Sequence, residues 1–270
     1  MESILEEAAT LSSLGVKEIC LVAQDTTLYG KDLYGRLALS ELLEKLATGD
    51  YSFSWIRLMY CYPDKVTEEL CRVMAKYDKI CKYIDLPIQH ISDSVLQGMN
   101  RHGGREAIER AVNLLRSHMP EIAIRTTVMV GFPGEKDKDF SLLSDYVKTT
   151  CFRHLGAFLY SREEGTAAYS MENRTTKKTK EGRLQSIMNS QFSIVEEYQN
   201  RQVGKTLQVL CEGYDPAIRM YVGRTVEHAP EIDGVVYFSS RRDAIPKGEF
   251  VSVLVEEAME YDLIGKEVKS

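Results

Sequence analysis

Helices and strands alternate along the first part of the chain, and this alternation constrains the fold more than any other feature. Amphipathic stretches with apolar residues at helical spacing precede short apolar runs of the strand type. The predicted strands span about residues 17–24, 55–62, 80–88, 123–132 and 154–161. The predicted helices that precede them span about residues 2–14, 36–47, 67–77, 105–119 and 138–150. Because such strands pair in parallel through right-handed crossovers, the sequence predicts an α/β fold with a parallel sheet or partial barrel.

The pattern changes in the last third of the chain. A long polar-rich helix is predicted at about 176–200, and short strands separated by Gly, Pro and Asp turns follow it. Eight basic and twelve acidic side chains give residues 202–270 a net charge of −4. We therefore predict an α/β barrel with its exit helix over 1–200 and a small all-β barrel over 201–270.

Composition limits the partners and the compartment. The net charge of −6 makes nucleic acid an unlikely direct substrate, because a polyanion meets a net-negative surface. Since no run approaches the roughly 18 apolar residues of a membrane span, no membrane partner is expected. The absence of a charged-then-apolar leader before the first helix makes the cytoplasm the expected location.

The cysteines lack metal-ligand spacing. None lies two to four residues from another, so neither a zinc nor an iron–sulfur motif is present. We interpret them as buried structural thiols. They are Cys20, Cys61, Cys71, Cys81, Cys151 and Cys211.

Polar and glycine-rich residues follow each predicted strand, where ligands of parallel α/β proteins bind. These candidates are Gln24, Asp25, Gln89, His90, Arg101, Arg105, Gly131, Glu135, Tyr160, Ser161, Arg162 and Glu163. These residues also have structural alternatives. The string GFPGE (residues 131–135) can be a tight turn, His90 can be a loop histidine, and Arg101 and Arg105 can belong to a solvated helix start. Positive charge at a helix N-terminus is unfavourable, which favours an anionic ligand such as a carboxylate.

Arg125 lies within an apolar strand, where a charge needs a partner. The candidate partners are Glu135, Glu163 and Glu164. No nucleophile–base pair, Walker loop or GxGxxG motif is present.

Several linked strings resemble the radical S-adenosylmethionine (radical SAM) methylthiotransferases. They are LVAQDTTLYGKDLYG, DLPIQHISDSVLQGMNRHGGRE, IRTTVMVGFPGE and FLYSREEGTAAY, and the tail ending EAMEYDLIG resembles the C-terminal TRAM domain of that family. The resemblance covers essentially the whole chain. It implies a radical-SAM-type partial (β/α)6 barrel followed by an OB-like TRAM barrel.

The resemblance also implies cofactors and residue roles. Gln24, Gln89 and Arg101 are expected to position the methionine and ribose parts of SAM, with Gly131 and Glu135 near its adenine. His90, Arg105 and Arg125 complete the expected SAM set. The expected substrate rim is Asp25, Tyr160, Ser161, Arg162 and Glu163.

The strings AQDTTLYG and SREEGT and the acidic tail resemble one branch of the family. Its members methylthiolate the β-carbon of an aspartate in ribosomal small-subunit protein twelve, with a reductant such as flavodoxin or ferredoxin. The TRAM domain is expected to contact that protein. A tRNA methylthiotransferase of the same family and a non-catalytic ribosomal-protein-binding paralogue stay open as alternatives.

The sequence departs from the family at one motif. Members of the family have two [4Fe–4S] clusters, and the barrel cluster is held by a CxxxCxxC loop after the first strand. This chain has no such string. We therefore expect the chain to lack that first strand, to bind no cluster and to be inactive alone, with the cluster cysteines upstream of Met1.

Overall fold

The computed structural model describes residues 1–173 and 175–269; Ser270, the last residue of the predicted small barrel, lies outside the described residues. The α helices are α1 (Glu2–Ser13), α2 (Lys31–Tyr34), α3 (Leu39–Thr48), α4 (Glu68–Lys76), α5 (Asp93–Gly98), α6 (Gly104–His118), α7 (Asp137–Thr150) and α8 (Lys177–Asn200). The strands are β1 (Glu18–Leu21), β2 (Trp55–Leu58), β3 (Ile80–Asp85), β4 (Ala123–Val130), β5 (His154–Leu159), β6 (Thr206–Asp215), β7 (Met220–Arg224), β8 (Val236–Ser239), β9 (Phe250–Ala258) and β10 (Leu263–Val268). Short 3₁₀ turns span Thr26–Leu28, Pro63–Lys65 and Ala167–Ser170.

The first strands form one parallel sheet in the order β1-β2-β3-β4-β5. This arrangement confirms the predicted α/β class and the strands inferred from apolar runs. Each crossover contains at least one helix, as parallel pairing requires.

The helices cover one face of this sheet and form the main core. Leu43 of α3, Met74 of α4, Leu115 of α6 and Val147 of α7 are fully buried against it. Amphipathic helices bury their apolar stripe in this way, which explains why their periodicity was readable in the sequence. Truncation of such a leucine to alanine typically costs about 2–5 kcal/mol.

The remaining strands close into a small barrel in the order β10-β8-β7-β6-β9. Its own core contains Val209, Val236, Phe238 and Val253, all fully buried. The predicted all-β character of the tail is confirmed. Closure leaves the barrel without a free sheet edge.

The small barrel packs against the amino-terminal end of the parallel sheet. Trp55 and Tyr83 of the sheet contact Leu210 and Ala229 of the small barrel in a shared apolar cluster. The carboxyl end of the sheet is therefore left open to solvent, and that end is where a ligand site is expected.

Several sequence interpretations differ from the structure. The predicted strands were too long at their carboxyl ends, because Tyr60 and Gln89 adopt left-handed backbone angles that end regular pairing. The short helices α2 and α5 were not predicted, since neither is long enough for a clear period. Cys151 is exposed rather than buried, although Cys61, Cys71, Cys81 and Cys211 are buried as expected.

None of the helices in the described part of the chain is long and apolar enough to span a membrane.

Candidate functional site

The loops beyond the carboxyl ends of the parallel strands surround an open depression, which we call the mouth. One cavity there measures about 730 Å³ and a second about 420 Å³, and Asn100 lines both. The first is lined by residues that include Gln24, Asp25, Tyr29, Tyr62, Lys65 and His102. The second is lined by residues that include Gln89, Arg101, Met129, Phe132, Tyr160, Ser161 and Glu163.

The backbone of the mouth is unusual because left-handed angles recur there. Tyr60, Gln89 and Asn100 have φ values of 54°, 66° and 55°, and Gly131 has a φ of 76°. A non-glycine residue in this region costs on the order of 1–3 kcal/mol and persists only when its surroundings enforce it. Such strained residues cluster at ligand sites, which supports the mouth as the functional region.

Arg101 is the residue at the mouth whose contacts point most directly to a ligand. Its Nη1 is buried and has no hydrogen-bond partner among the described residues. Its guanidinium carbon lies 4.4 Å from the centre of the Tyr62 ring, and burial lowers the pKa of Arg101. A buried donor without an acceptor costs about 1–3 kcal/mol, and a planar guanidinium matches a carboxylate. The geometry therefore suits an anionic group in the second cavity.

Gln24 and Asp25 lie on the loop after β1. Asp25 Oδ1 accepts a hydrogen bond from the Thr27 backbone N–H at 3.0 Å, which caps the 3₁₀ turn. Asp25 Oδ2 lies 3.4 Å from Nζ of Lys65. The Gln24 side chain is exposed and remains available to a ligand in the first cavity.

The wall of the second cavity combines aromatic and polar groups. The Phe132 and Tyr160 rings meet edge to face with their centroids 5.2 Å apart. The Tyr160 hydroxyl donates to the Ala168 carbonyl at 3.1 Å, which fixes the ring. Arg162 does not line the cavity, because its Nε donates to the Tyr169 carbonyl at 2.6 Å.

Glu135 is buried beneath the GFPGE turn rather than facing either cavity. Its Oε2 accepts hydrogen bonds from the backbone N–H groups of Gly131 and, at 3.2 Å, Phe132. Its Oε1 accepts from Arg183 Nη1 at 2.8 Å. Burial raises the pKa of Glu135 against the opposing effect of Arg183. Glu135 thus holds the turn in shape, while the space beside Gly131 is filled by the Lys180 side chain.

His90 and Arg105 lie outside the cavities. His90 is fully buried, its Nδ1 accepts from the Ser92 backbone N–H at 2.9 Å, and burial lowers its pKa to about 4. Arg105 is exposed on α6 and pairs with Glu109 at 2.7 Å. Arg101, by contrast, precedes α6 and is not part of a helix start.

Arg125 lines neither cavity of the mouth and lies beside Asp85, the last residue of β3. It is the third residue of β4, and its Nε lies 3.8 Å from Asp233 and 4.0 Å from Asp85. The predicted partners Glu135, Glu163 and Glu164 were wrong. They follow the carboxyl ends of β4 and β5, whereas Arg125 is near the amino end of its strand.

The sequence interpretation missed some residues of the mouth. Lys65 lines the first cavity but was not among the candidates. Tyr62 and Asn100 lie on the loops after the second and third predicted strands, but no role was assigned to either. Asn100 carried a signal, because asparagine tolerates a left-handed backbone angle better than most residues.

Comparison with known proteins agrees with this geometry. A family model described as the radical SAM superfamily matches residues 1–147. The chain belongs to the radical SAM superfamily. A model described as the TRAM domain matches residues 203–268, so the predicted family resemblance is confirmed.

Curated relatives place the chain more finely within this superfamily. The ribosomal protein uS12 methylthiotransferase RimO of Clostridioides difficile is 49% identical over 264 residues. The protein of the same name from Caldanaerobacter subterraneus subsp. tengcongensis is 47% identical over 266 residues. Each match covers 98% of this chain but only 59% and 60% of the respective relative.

A solved structure supports the fold. The radical SAM enzyme coproporphyrinogen III oxidase (HemN) from Escherichia coli matches with a TM-score of 0.51 and 14% identity. That match covers 73% of this chain and 44% of the other.

The superfamily uses SAM and a [4Fe–4S] cluster, and the described residues fit these two groups differently. The unpaired Nη1 of Arg101 fits the carboxylate of SAM, and the aromatic wall at Phe132 fits its adenine. For the cluster, no group of three or more His, Cys, Asp or Glu side chains that could hold a metal ion occurs within residues 1–173 and 175–269. The mouth therefore suits SAM, and the described side chains do not suit an iron–sulfur cluster.

Proposed function

We propose that the mouth binds SAM and that the chain forms the SAM-binding barrel and TRAM domain of a uS12 methylthiotransferase. The enzyme would methylthiolate the β-carbon of an aspartate in ribosomal protein uS12. The observation that carries the proposal is the buried, unpaired Nη1 of Arg101 in the second cavity. The curated relatives reported above are named for that activity.

Each side chain at the mouth has a distinct part in holding SAM. Arg101 binds the methionine carboxylate, since a guanidinium can donate two parallel N–H bonds to a carboxylate. Gln24 and Gln89, on loops after β1 and β3, donate and accept hydrogen bonds with the ribose. Phe132 packs against the adenine and excludes water. When bound, SAM supplies the means to remove a hydrogen atom from an unactivated carbon and the methyl group that is transferred.

The rim of the mouth faces the substrate. Asp25, Tyr160, Ser161 and Glu163 line the cavity openings, and Arg162 lies beside them with its Nε held by Tyr169. These residues orient the peptide segment that carries the target aspartate. None is assigned as a general base, because hydrogen-atom removal needs no proton acceptor.

The cluster ligands are assigned to parts of the relatives that this sequence does not match. The described cysteines lie apart from the mouth or within the apolar cores. We infer that the complete enzyme carries two [4Fe–4S] clusters and receives electrons from flavodoxin or ferredoxin.

The charge of the small barrel favours a protein over tRNA as substrate. Residues 202–270 carry a net charge of −4, and tRNA binding gains most of its affinity from basic residues. We infer that the TRAM domain contacts uS12 directly.

Deletion of the gene in its own organism tests the proposal. Mass spectrometry of purified uS12 should show loss of a methylthio group from one aspartate, and restoration when the gene is returned. Nucleosides from tRNA of the same cells serve as the internal control and should be unchanged. Loss of a methylthio nucleoside with intact uS12 modification would instead identify a tRNA enzyme.

A further inference from the structure

The long helix α8 places one arginine beneath the GFPGE turn that follows β4. Arg183 is buried, and its Nη1 donates a hydrogen bond to Oε1 of Glu135 at 2.8 Å. Its Nη2 donates to Oδ1 of Asp137 at 2.7 Å, but the Asp137 side chain is almost fully exposed. Because water screens an exposed charge far more than a buried one, Glu135 is the stronger electrostatic partner of Arg183.

Glu135 links this arginine to the backbone of the turn. Its Oε2 accepts hydrogen bonds from the N–H groups of Gly131 and, at 3.2 Å, Phe132, the two residues directly after β4. Burial raises the pKa of Glu135, and Arg183 is the cation that opposes this effect. A carboxylate accepts stronger hydrogen bonds than a neutral carboxyl does. Arg183 therefore strengthens both bonds to the turn by favouring the ionised form of Glu135.

Two more side chains from α8 and the segment before it contact Gly131. Asn173 precedes the helix, and its Nδ2 donates to the Gly131 carbonyl at 2.9 Å. The stem of Lys180 packs so closely that a Cβ on Gly131 would come within 2.5 Å of Lys180 Cγ. Gly131 also has a φ of 76°, so both the space and the backbone angle require glycine there. The N–H and the carbonyl of Gly131 are thus both held, the first through Glu135 and the second by Asn173.

The same turn places the aromatic wall of the second cavity. Phe132 lines this cavity, and its ring meets the Tyr160 ring edge to face at 5.2 Å between centroids. On α5, a Cβ added to Gly98 would lie 3.0 Å from Cε1 of Phe132, so the ring is also packed against that helix. Close-packed groups transmit strain to their neighbours, so a shift of the Phe132 backbone changes the shape of the cavity wall.

We propose that the amino-terminal part of α8 clamps the GFPGE turn, and that Arg183 is the positioning residue that sets the Phe132 wall for SAM. The part that concerns SAM rests on the proposed function. Arg183 lines neither cavity, so it acts through Glu135 and does not touch the ligand. The helix that connects the parallel sheet to the small barrel is thereby part of the framework of the SAM site.

Residue-resolved hydrogen exchange of the ligand-free chain tests the clamp. Arg183→Met should raise exchange of the Gly131 and Phe132 amides about tenfold or more, while the amides of α3 remain protected. The matched control Asp137→Asn removes the exposed partner of the same guanidinium and should change these two amides less than twofold. Equal effects of the two substitutions, or uniformly faster exchange throughout the sheet, would overturn the clamp.

Arg183→Lys separates the charge of this residue from its general packing. Lysine retains a cation that can approach Glu135 but loses the planar fork, so exchange at Gly131 and Phe132 should lie between the unsubstituted chain and Arg183→Met. Exchange as fast as in Arg183→Met would contradict a role for the charge.

A double-substitution cycle tests whether Arg183 acts through Glu135. Glu135→Gln retains an oxygen for the two amides but not the charge, so it should also raise their exchange. Glu135→Gln combined with Arg183→Met should have no more effect than Glu135→Gln alone, because the route is already broken. Independent, multiplying effects would contradict this route.

The consequence for SAM is measured separately by titration of the ligand-free chain. Arg183→Met should bind SAM about fivefold more weakly, or worse, than Asp137→Asn does, because the cavity wall is no longer preorganised. Unchanged SAM affinity despite altered exchange would overturn the functional part of the clamp. If the unsubstituted chain binds no SAM, the proposed SAM site fails, whereas the exchange result still decides the clamp.

Discussion

Arg224 of the small barrel donates from Nη2 to Oε2 of Glu18, the first residue of β1, at 2.6 Å. The other oxygen of Glu18 accepts from Nε of Arg57 at the same distance. Arg57 is fully buried, and its guanidinium stacks 4.6 Å from the centre of the Tyr83 ring. One carboxylate thus pairs with two buried guanidinium groups, one on each side of the interface, and Glu212 gives Arg224 a second partner at 2.8 Å.

Glu18→Gln should therefore strongly destabilise the chain. It leaves Arg57 and Arg224 without their shared charge partner, and breaking a buried pair typically costs about 3–5 kcal/mol. The matched control is Glu41→Gln, which breaks an exposed pair with Arg36 and should shift the unfolding midpoint far less, because solvent screens exposed ion pairs. Urea unfolding of both variants measures the difference, and equal midpoints would contradict the assigned role of Glu18.

His90 should make the chain less stable as the pH falls. Its pKa is about 4 in the folded chain and 6.5 when exposed, so between these values the unfolded chain binds a proton that the folded chain does not. The titration of His90 therefore leaves the free energy of unfolding unchanged above pH 6.5 and lowers it by about 3 kcal/mol by pH 4.

The His90→Asn variant isolates this contribution. Asparagine can accept the Ser92 N–H but does not titrate, so its unfolding free energy should fall less between pH 6.5 and pH 4. The buried His154 and His228, whose pKa values burial also lowers, remain in both proteins and cancel in the difference. Parallel pH profiles for the two proteins would rule out a buried neutral His90.

The fold was largely predictable from sequence because the features that specify each helix and strand are local. Apolar runs and amphipathic periods mark the strands and helices, because each element buries one face on its own. The sequence prediction extended these strands too far at their carboxyl ends. The left-handed angles of Tyr60 and Gln89 that end them are imposed by tertiary contacts, such as the Tyr60 N–H bond to Asp85.

At the mouth, the sequence correctly predicted only those residues whose location follows directly from their position after a strand. Gln24, Gln89, Arg101 and Tyr160 line the cavities as residues after strands should. Arg125 was misplaced because its partner Asp233 comes from the small barrel, and no local pattern encodes such a contact.

SAM binding should depend on Arg101 and not on Arg105. Arg101→Met removes the guanidinium with the unpaired Nη1, and we expect at least a tenfold loss of affinity, or about 1.4 kcal/mol. Arg105→Met removes an equal charge from an exposed pair and should change the affinity less than twofold. Calorimetric titration of the ligand-free chain measures both, and equal losses would mean that only general charge matters.

The chain of this sequence should take up essentially no iron during anaerobic reconstitution with iron and sulfide. Its described cysteines form no cluster-binding group, and Cys151 is the exposed thiol on which adventitious iron could bind. Cys151→Ser is therefore the control and should remove any residual uptake. Stoichiometric iron in both proteins would contradict the assignment of cluster ligands to residues outside this sequence.

The modification state of uS12 in a deletion strain tests the central claim most directly. Peptide mass spectrometry should find the methylthio-aspartate restored when the strain receives the complete reading frame, either unsubstituted or with Arg105→Met. The same reading frame with Arg101→Met should leave that aspartate unmodified. Full modification with Arg101→Met, or modified uS12 in the deletion strain itself, would contradict the account.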